Sequence, residues 1–364
     1  MLGVSVYLGH MDQEAQGKYL ERMKTAGFSS IFTSLHIPED DSGEFPALLK
    51  MLGSQAGGLG MELMADISPI SLEYLGIENG EMERIKELGV TGLRMDYGIE
   101  EQTIAALSNT MKVALNASTI DEAFYNRLND LGMCFENAEA WHNYYPRPET
   151  GLDKEAFIEK NKWLESLGFT VMAFVPGDEN LRGPIFKGLP TLEDHRGRSP
   201  FASFLDLHHV CHVSKVLIGD RSLTPGTMNK FKKYSAGILE LDAEFLPGVT
   251  PAERDIAGIA HKSRPDPSRD VIRSEPSRIY AAANAAVIKP GRQQDRKAGA
   301  ITIDNEQYGR YQGELQIIKE PLDADPNVNV IGHIRGQDIE LIPYLYPGKT
   351  FTFKDMTIFN NEPQ

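Results

Sequence analysis

The sequence predicts a (β/α)8 barrel followed by a smaller antiparallel β domain. A short phrase recurs in which a glycine separates an amphipathic segment from an apolar run. Eight apolar runs alternate with helical segments over roughly 235 residues, which is the length and strand count of such a barrel. After about residue 236 the pattern changes to short apolar runs between turn residues. We therefore place the barrel at residues 1–236 and the β domain at residues 237–364.

The recurring phrase indicates where each barrel helix ends and the next strand begins. It occurs as TAGFSSIF, GLGMELMAD, ELGVTGLRMD, DLGMCFEN and SLGFTVMAF, with its glycine at Gly27, Gly60, Gly89, Gly132 and Gly168. A glycine there adopts the left-handed conformation that ends a helix, and the apolar run after it forms a strand. The predicted strands lie near residues 2–8, 28–35, 61–67, 91–96, 111–116, 132–137, 169–175 and 214–219. The first strand lacks the glycine-rich phosphate turn of a doubly wound sheet.

The second part of the chain predicts β structure. Residues 262–278, KSRPDPSRDVIRSEPSR, are dense in proline and charge and indicate a long ordered loop or domain connection. Short strands are predicted in SRIYAAANAAVI, KAGAITID, ELQIIKE, VNVIGHI and TFTFKDM, because each is bounded by turn residues. Together they predict a small antiparallel, barrel-like domain.

Composition excludes some partners and indicates a compartment. The chain has 364 residues, of which 52 are acidic and 37 basic, for a net charge of −15. Nucleic acid and anionic membranes need a basic surface, so neither is expected as a partner. The start of the sequence has no signal-peptide pattern, and no later run has membrane-spanning length. Two cysteines, Cys134 and Cys211, are too few for a disulfide framework. We expect a cytoplasmic protein.

Polar side chains cluster where the predicted barrel strands end, which is where barrel enzymes place their active sites. Neighbouring strand ends lie about 5 Å apart, so Asp66 and Asp96 are predicted to reach one small substrate. Such a carboxylate pair suits glycoside hydrolysis. The alternative is that each aspartate only caps a helix or pairs with an arginine. The other strand-end candidates for substrate binding are Arg94, Tyr97, Asn116 and Asp220.

Two long loops carry the remaining candidates for substrate binding. The loop after strand six contributes His142, Asn143, Tyr145 and Arg147, together with Glu149 as a reserve catalytic carboxylate. The loop after strand seven contributes Arg182, Glu193, His195 and Arg196. Aromatic rings stack on sugars, and guanidinium groups bind phosphate or carboxylate through paired hydrogen bonds. The alternative is two solvated loops whose charges pair with each other.

A metal or an organic cofactor is not expected. The cluster LHHVCH brings His208, Cys211 and His212 to helical spacing, but it lies inside a helix and away from the strand ends. We therefore expect these side chains to pack against the helix surroundings or to lie at the surface, and not to bind a metal. The first strand also lacks a lysine that could form a Schiff base with pyridoxal phosphate.

Several of these segments resemble a known bacterial family. LGVSVYLGH, MADISP, GLRMDYG, HNYYPRPETGL and LRGPIFKGLPTLEDHR resemble the 6-phospho-N-acetylmuramidases, glycoside hydrolase family 170, often labelled outer surface proteins. The similarity extends over essentially the whole chain, including VIRSEPSR. It implies a (β/α)8 barrel followed by a cyclophilin-like domain. It also implies hydrolysis of the β-1,4 bond between N-acetylmuramic acid 6-phosphate and N-acetylglucosamine in cytoplasmic peptidoglycan recycling.

The resemblance and the barrel geometry together give a site hypothesis. Asp66 and Asp96 are predicted to supply acid and base functions, with Glu149 in reserve. The arginines predicted to bind the phosphate and the lactyl carboxylate are Arg94, Arg147, Arg182 and Arg196. The partner is then a small phosphorylated amino-sugar disaccharide, and the enzyme can be a homo-oligomer. Two alternatives stay open: a barrel lyase, isomerase or epimerase of a phosphorylated sugar, and a non-catalytic carbohydrate-binding protein.

Overall fold

The computed structural model describes residues 1–35, 45–77, 79–95 and 98–357 of the chain. It divides the chain into two compact units, Met1–Asn229 and Lys230–Gln364. No helix in the described ranges combines the length and apolarity that crossing a bilayer requires.

The first unit is a closed barrel of eight parallel strands. Consecutive strands pair in order, and β1 closes the ring by pairing with β8. The strands are β1 (Leu2–Ser5), β2 (Ser30–Ser34), β3 (Glu62–Ile67), β4 (Gly92–Met95), β5 (Lys112–Asn116), β6 (Ala138–Trp141), β7 (Thr170–Val175) and β8 (Lys215–Ile218). The predicted (β/α)8 barrel is therefore confirmed.

Helices connect the barrel strands. They are α1 (Gln13–Thr25), α2 (Phe45–Gly58), α3 (Pro69–Tyr74), α4 (Glu101–Ser108), α5 (Glu122–Asp130), α6 (Lys154–Ser166), α7 (Pro200–His209) and α8 (Pro225–Ser235), with a 3-10 helix at Asn79–Leu88. Asp153 accepts a hydrogen bond from the Ala156 amide (3.0 Å) and so caps the start of α6. Gly168, beyond the end of α6, has a φ of 91°, the left-handed conformation predicted for it.

The sixth strand lies later in the chain than predicted. Residues 132–137 were expected to form it, but β6 begins at Ala138. A 3-10 turn, Phe135–Asn137, comes first. Ser108, at the end of α4, fixes this turn because its hydroxyl accepts from the Cys134 amide (2.8 Å) and its carbonyl accepts from the Asn137 side chain (2.8 Å). These contacts with Ser108 hold in a turn the residues that the apolar pattern assigned to a strand.

The barrel interior has an apolar layer and a charged layer. The apolar layer consists of Phe32, Met64, Ala114, Trp141, Met172, Phe174 and Leu217. At the N-terminal ends of the strands, Lys215 is 1% exposed and pairs with Glu62 and with Glu139 (2.9 Å). Lys112 pairs with the same two carboxylates at 2.6 and 3.3 Å. This end of a barrel is the one associated with stability, not catalysis.

The second unit is built on a seven-stranded sheet in the order β10-β15-β9-β14-β12-β13-β11. The strands are β9 (Ile238–Phe245), β10 (His261–Lys262), β11 (Val271–Arg273), β12 (Ala300–Asp304), β13 (Leu315–Ile318), β14 (Val328–Ile334) and β15 (Thr350–Asp355), with helices α9 (Pro251–Gly258) and α10 (Ser277–Ala283). The sheet is mixed, because β9 and β15 pair in parallel. The segment SRIYAAANAAVI was predicted as a strand, but its first seven residues form α10, since alanine favours a helix.

Candidate active site

A cavity of about 300 Å³ lies at the C-terminal ends of the barrel strands. Its lining residues come from β2, β3, β4 and β7 and from the loop after β6. They are Phe32, Ser34, Asp66, Arg94, Asn143, Tyr144, Tyr145 and Phe174. We call it the strand-end cavity. It brings together four of the predicted site residues, namely Asp66, Arg94, Asn143 and Tyr145.

Asp66 and Arg94 form the charged centre of the strand-end cavity. They occupy paired positions on β3 and β4, and Ser34 is the partner of Asp66 on β2. The Arg94 Nη1 donates to Asp66 Oδ1 at 2.7 Å, and its Nη2 donates to Asn143 Oδ1 at 2.6 Å. Asp66 and Arg94 are 9% and 8% exposed. One planar guanidinium therefore orients both a carboxylate and an amide toward the cavity.

Asp96 and Tyr97 were predicted beside this pair, but they lie outside the described residues. The pairing of Asp96 with Asp66 as two catalytic carboxylates stays a prediction.

Arg182 links two tyrosines at the edge of the site. Its Nη1 donates to the Tyr144 hydroxyl (2.8 Å), and its guanidinium lies 4.3 Å from the Tyr7 ring centroid. The Tyr7 hydroxyl donates to the Gly219 carbonyl (2.6 Å). Burial raises the pKa of Tyr7 well above its usual value, so Tyr7 is a neutral donor. Tyr144 packs against Phe174 with ring centroids 5.1 Å apart, which extends an aromatic wall from the barrel core to the cavity.

Glu193 and Arg196 fasten the two long loops to each other. The Glu193 carboxylate accepts from the amides of Glu149 and Gly151 (both 2.8 Å) and from Arg196 Nε (2.7 Å). These bonds, that of Arg196 foremost, lower the pKa of Glu193 to about 2. Arg196 also donates to the Tyr145 carbonyl at 2.8 Å. Both side chains therefore fix the backbone that carries Tyr145.

The remaining predicted residues of the loop after β6 and of the β5 end lie at the surface or in a turn. Arg147 and Glu149 are exposed, and neither lines the strand-end cavity. Glu149 has a φ of 70°. Asn116, at the end of β5, accepts from the Ser118 amide (3.0 Å) and so shapes the turn that follows.

Asp220 holds the loop after β7 in place. Its carboxylate accepts from three backbone amides, those of Gly177 (2.8 Å), Arg182 (2.9 Å) and Leu189 (3.0 Å). Burial raises the pKa of Asp220. Because these three donors occupy its oxygens, Asp220 positions Arg182 through the backbone.

The two predicted histidines lie in packing contacts away from the strand-end cavity. His142 is hydrogen bonded through Nε2 to Asn161 Oδ1 (2.7 Å) and packs on Phe157. Burial lowers the pKa of His142 to about 4. His195 is fully buried and is hydrogen bonded to Asp206 (3.0 Å).

The shifted pKa of His142 predicts a pH-dependent stability. A histidine with a folded pKa of about 4 binds its proton more readily in the unfolded chain. The stability it contributes is present above pH 6.5 and is lost as the pH falls toward 4. We expect His142→Gln to remove about 2 kcal/mol of the stability difference between pH 7 and pH 5, measured by urea unfolding. An unchanged difference would contradict this.

No metal centre is evident in the part of the chain that the structure describes, where no group of three or more His, Cys, Asp or Glu is arranged to hold an ion. In the LHHVCH cluster, His208 stacks on Phe204 and His212 is bonded to Glu165 (2.9 Å).

Several residues that line or support the cavity were missed by the sequence predictions. Ser34 and Phe32 belong to β2, and Tyr7 follows β1. The rule that selected Asp66, a polar side chain at a strand end, also applies to Ser34. Phe32 gives no comparable signal, because an apolar residue within a strand is expected in any barrel core.

The fold and this cavity define a (β/α)8-barrel enzyme, with its polar groups gathered at the strand ends. Two family models match the chain: the 6-phospho-N-acetylmuramidase N-terminal domain over residues 2–233 and the C-terminal domain over residues 239–354. The chain belongs to the 6-phospho-N-acetylmuramidase family, which is a family of glycosidases.

Solved structures show the same architecture. A conserved Enterococcus faecalis protein of unknown function is 41% identical, with a TM-score of 0.88 and coverage of 99% of this chain and 98% of its own. An uncharacterized B. cereus protein is 26% identical, with a TM-score of 0.77 and coverage of 97% and 99%. Among curated proteins, none matches this sequence.

Proposed function

We propose that the protein hydrolyses the β-1,4 bond between N-acetylmuramic acid 6-phosphate and N-acetylglucosamine, in cytoplasmic recycling of peptidoglycan. Family membership gives the glycosidase class. The observation that carries the proposal is the buried carboxylate of Asp66, which lies in one cavity with the rings of Tyr144 and Tyr145. A sugar ring against those aromatic faces would present its glycosidic bond to a carboxylate.

In the proposed mechanism Asp66 acts on the reacting sugar, and Asp96 is its partner. Glycoside hydrolysis uses two carboxyl groups, one to protonate the leaving oxygen and one to stabilise the anomeric carbon. A muramyl sugar carries a 2-acetamido group, which allows a second route. One carboxylate then orients the acetamido nitrogen while the acetamido oxygen attacks the anomeric carbon, and the other carboxyl group protonates the leaving oxygen. Glu149, which is exposed in the loop after β6, is the reserve candidate.

Arg94 and Asn143 position the reacting carboxylate in this proposal. The charge of Arg94 is compensated by Asp66 at 2.7 Å, so holding Asp66 suits it better than binding a second anion. Arg196 is compensated in the same way by Glu193. Arg182 has no carboxylate within ion-pair distance in the described ranges, and it remains available to an anionic group of the substrate.

Product analysis tests the proposed function. The full chain is incubated with the phosphorylated and the unphosphorylated muramyl disaccharide, and the products are identified by mass. We expect two monosaccharides, N-acetylglucosamine and N-acetylmuramic acid 6-phosphate, from the phosphorylated substrate. Products that conserve the substrate mass would instead identify an isomerase or epimerase. An unsaturated product lacking the added water would identify a lyase, and binding without turnover a carbohydrate-binding protein.

A further inference from the structure

A second cavity, of about 320 Å³, lies at the ends of β1 and β8. Its lining includes residues that follow β1, β7 and β8 and residues of α1. Those used below are Tyr7, Tyr19, Arg22, Glu179, Arg221 and Ser222. We call it the rim cavity. Loops after the seventh and eighth strands are a frequent phosphate site in (β/α)8 barrels.

Two hydrogen-bond donors that line the rim cavity lack acceptors. Tyr19 is 4% exposed, and its hydroxyl has no partner in the described structure. The Nε of Arg221 is likewise buried and without a partner there. Native proteins rarely leave a buried donor without an acceptor, because the group loses its hydrogen bonds to water and gains none in return. Because Tyr19 and Arg221 both line the rim cavity, an oxygen-rich ligand there is the candidate acceptor for these two donors.

The charge of the rim cavity favours an anion. Neither Arg22 nor Arg221 has a carboxylate within 4.0 Å among the residues whose positions are described. One carboxylate, Glu179, lines the cavity, and it accepts from the Ser222 hydroxyl at 3.1 Å. Two arginines without a carboxylate partner in the described structure therefore line the cavity with one carboxylate that already has a donor.

The side chains of Tyr7, Arg182 and Tyr144 separate the rim cavity from the strand-end cavity. Tyr7 lines the rim cavity and Tyr144 lines the strand-end cavity. Arg182 lies between the two rings, stacked on Tyr7 and bonded to the Tyr144 hydroxyl. A substrate that occupies both cavities would therefore place its glycosidic bond and its phosphate group on opposite sides of Arg182.

We propose that the rim cavity binds the phosphate group of the substrate, with Arg22 and Arg221 as its cationic ligands and the Tyr19 hydroxyl as a neutral donor. This inference rests on the proposed function and adds the location of phosphate recognition to it. It assigns the 6-phosphate to residues outside the set Arg94, Arg147, Arg182 and Arg196 that the sequence favoured.

Binding measurements on the full chain test the inference without relying on turnover. The probes are N-acetylmuramic acid 6-phosphate and unphosphorylated N-acetylmuramic acid, titrated calorimetrically into Arg22→Met, Arg221→Met and Tyr19→Phe. We expect each arginine variant to weaken the phosphorylated sugar by about 10- to 100-fold, and Tyr19→Phe by several-fold. Affinity for the unphosphorylated sugar should not change, because it lacks the phosphate. Arg84→Met, in the 3-10 helix Asn79–Leu88, is the matched control for loss of a surface arginine.

The outcomes separate this inference from the proposed function. Arginine-dependent binding of the phosphorylated sugar without hydrolysis would support the rim cavity and refute the glycosidase proposal. Normal hydrolysis with unaltered binding in all three variants would overturn the rim cavity alone. Equal losses on both sugars would also overturn it, since they would indicate recognition of the lactyl carboxylate or a general change in the site. Matching thermal melting curves establish that each variant is folded.

Discussion

Asp66→Asn is expected to lower turnover of the phosphorylated disaccharide by about 10²- to 10⁴-fold, the range for a lost acid–base group. The substitution keeps the shape of the side chain and removes its charge and its capacity to take up a proton. Initial rates of N-acetylglucosamine release measure the effect. Asp130→Asn, at the exposed end of α5, is the matched control and should retain full turnover.

A structural effect of Asp66→Asn is distinguishable from a catalytic one. Asp66 is bonded to Arg94, so the variant weakens an ion pair with little exposure to solvent. If that pair only stabilises the barrel, the melting temperature falls and the turnover of the folded enzyme stays within a few-fold of normal. Such a result would mean that Asp66 is merely the partner of Arg94. A large loss of turnover with an intact fold supports a catalytic role.

The barrel could be predicted because its signals are local. A helix stop and the apolar run after it are encoded within about ten residues, and the five recurring glycines all have positive φ in the structure. The late start of β6 is different, because it depends on Ser108, 26 residues before Cys134. The pattern of one segment contains no information on such a contact.

The candidate site could be predicted only as far as strand position determines it. Asp66 and Arg94 share a register position on adjacent strands, so the strand-end rule brings them together. The sequence shows that the loop residues are polar and charged. Which charged side chains pair with each other depends on the conformation of the loops. Glu193 and Arg196 are bonded to each other. Arg22 follows no strand, and for that reason the strand-end rule does not select it.

Asp220 and His195 also show that sequence position does not predict the partners of a buried polar side chain. Each has the residue type expected of a functional group and is buried: backbone amides donate to the Asp220 carboxylate, and His195 Nε2 is hydrogen bonded to Asp206. Whether a buried polar side chain meets backbone amides or open space depends on the packing of the loops around it. Sequence position predicted that Asp220 lies at the end of β8, but not that three amides surround its carboxylate.

The opposite end of the barrel gives the second large expected effect. Lys215→Met should lower the free energy of unfolding by about 3–5 kcal/mol, the usual cost of removing one partner of a buried ion pair. Lys215 is 1% exposed and bonded to Glu62 and Glu139, so its loss leaves Lys112 as the remaining cation beside the two carboxylates in the described structure. Burial alone would raise the pKa of Glu62, yet the lysines lower it to about 2. The stabilisation from the lowered pKa of Glu62 is present above pH 4.5 and is lost as the pH falls toward 2.

Lys112→Met is the matched control for Lys215→Met, because Lys112 contacts the same carboxylates with 36% of its side chain exposed. Solvent compensates for a lost partner there, so we expect a clearly smaller loss of stability. Urea unfolding followed by tryptophan fluorescence measures both, since Trp141 donates to Glu139 at 2.6 Å within this network. The folded fraction of Lys215→Met should keep its turnover within a few-fold of normal, whereas Asp66→Asn should lose turnover and keep its fold. Equal losses of stability in the two lysine variants would show that burial does not set the strength of this network.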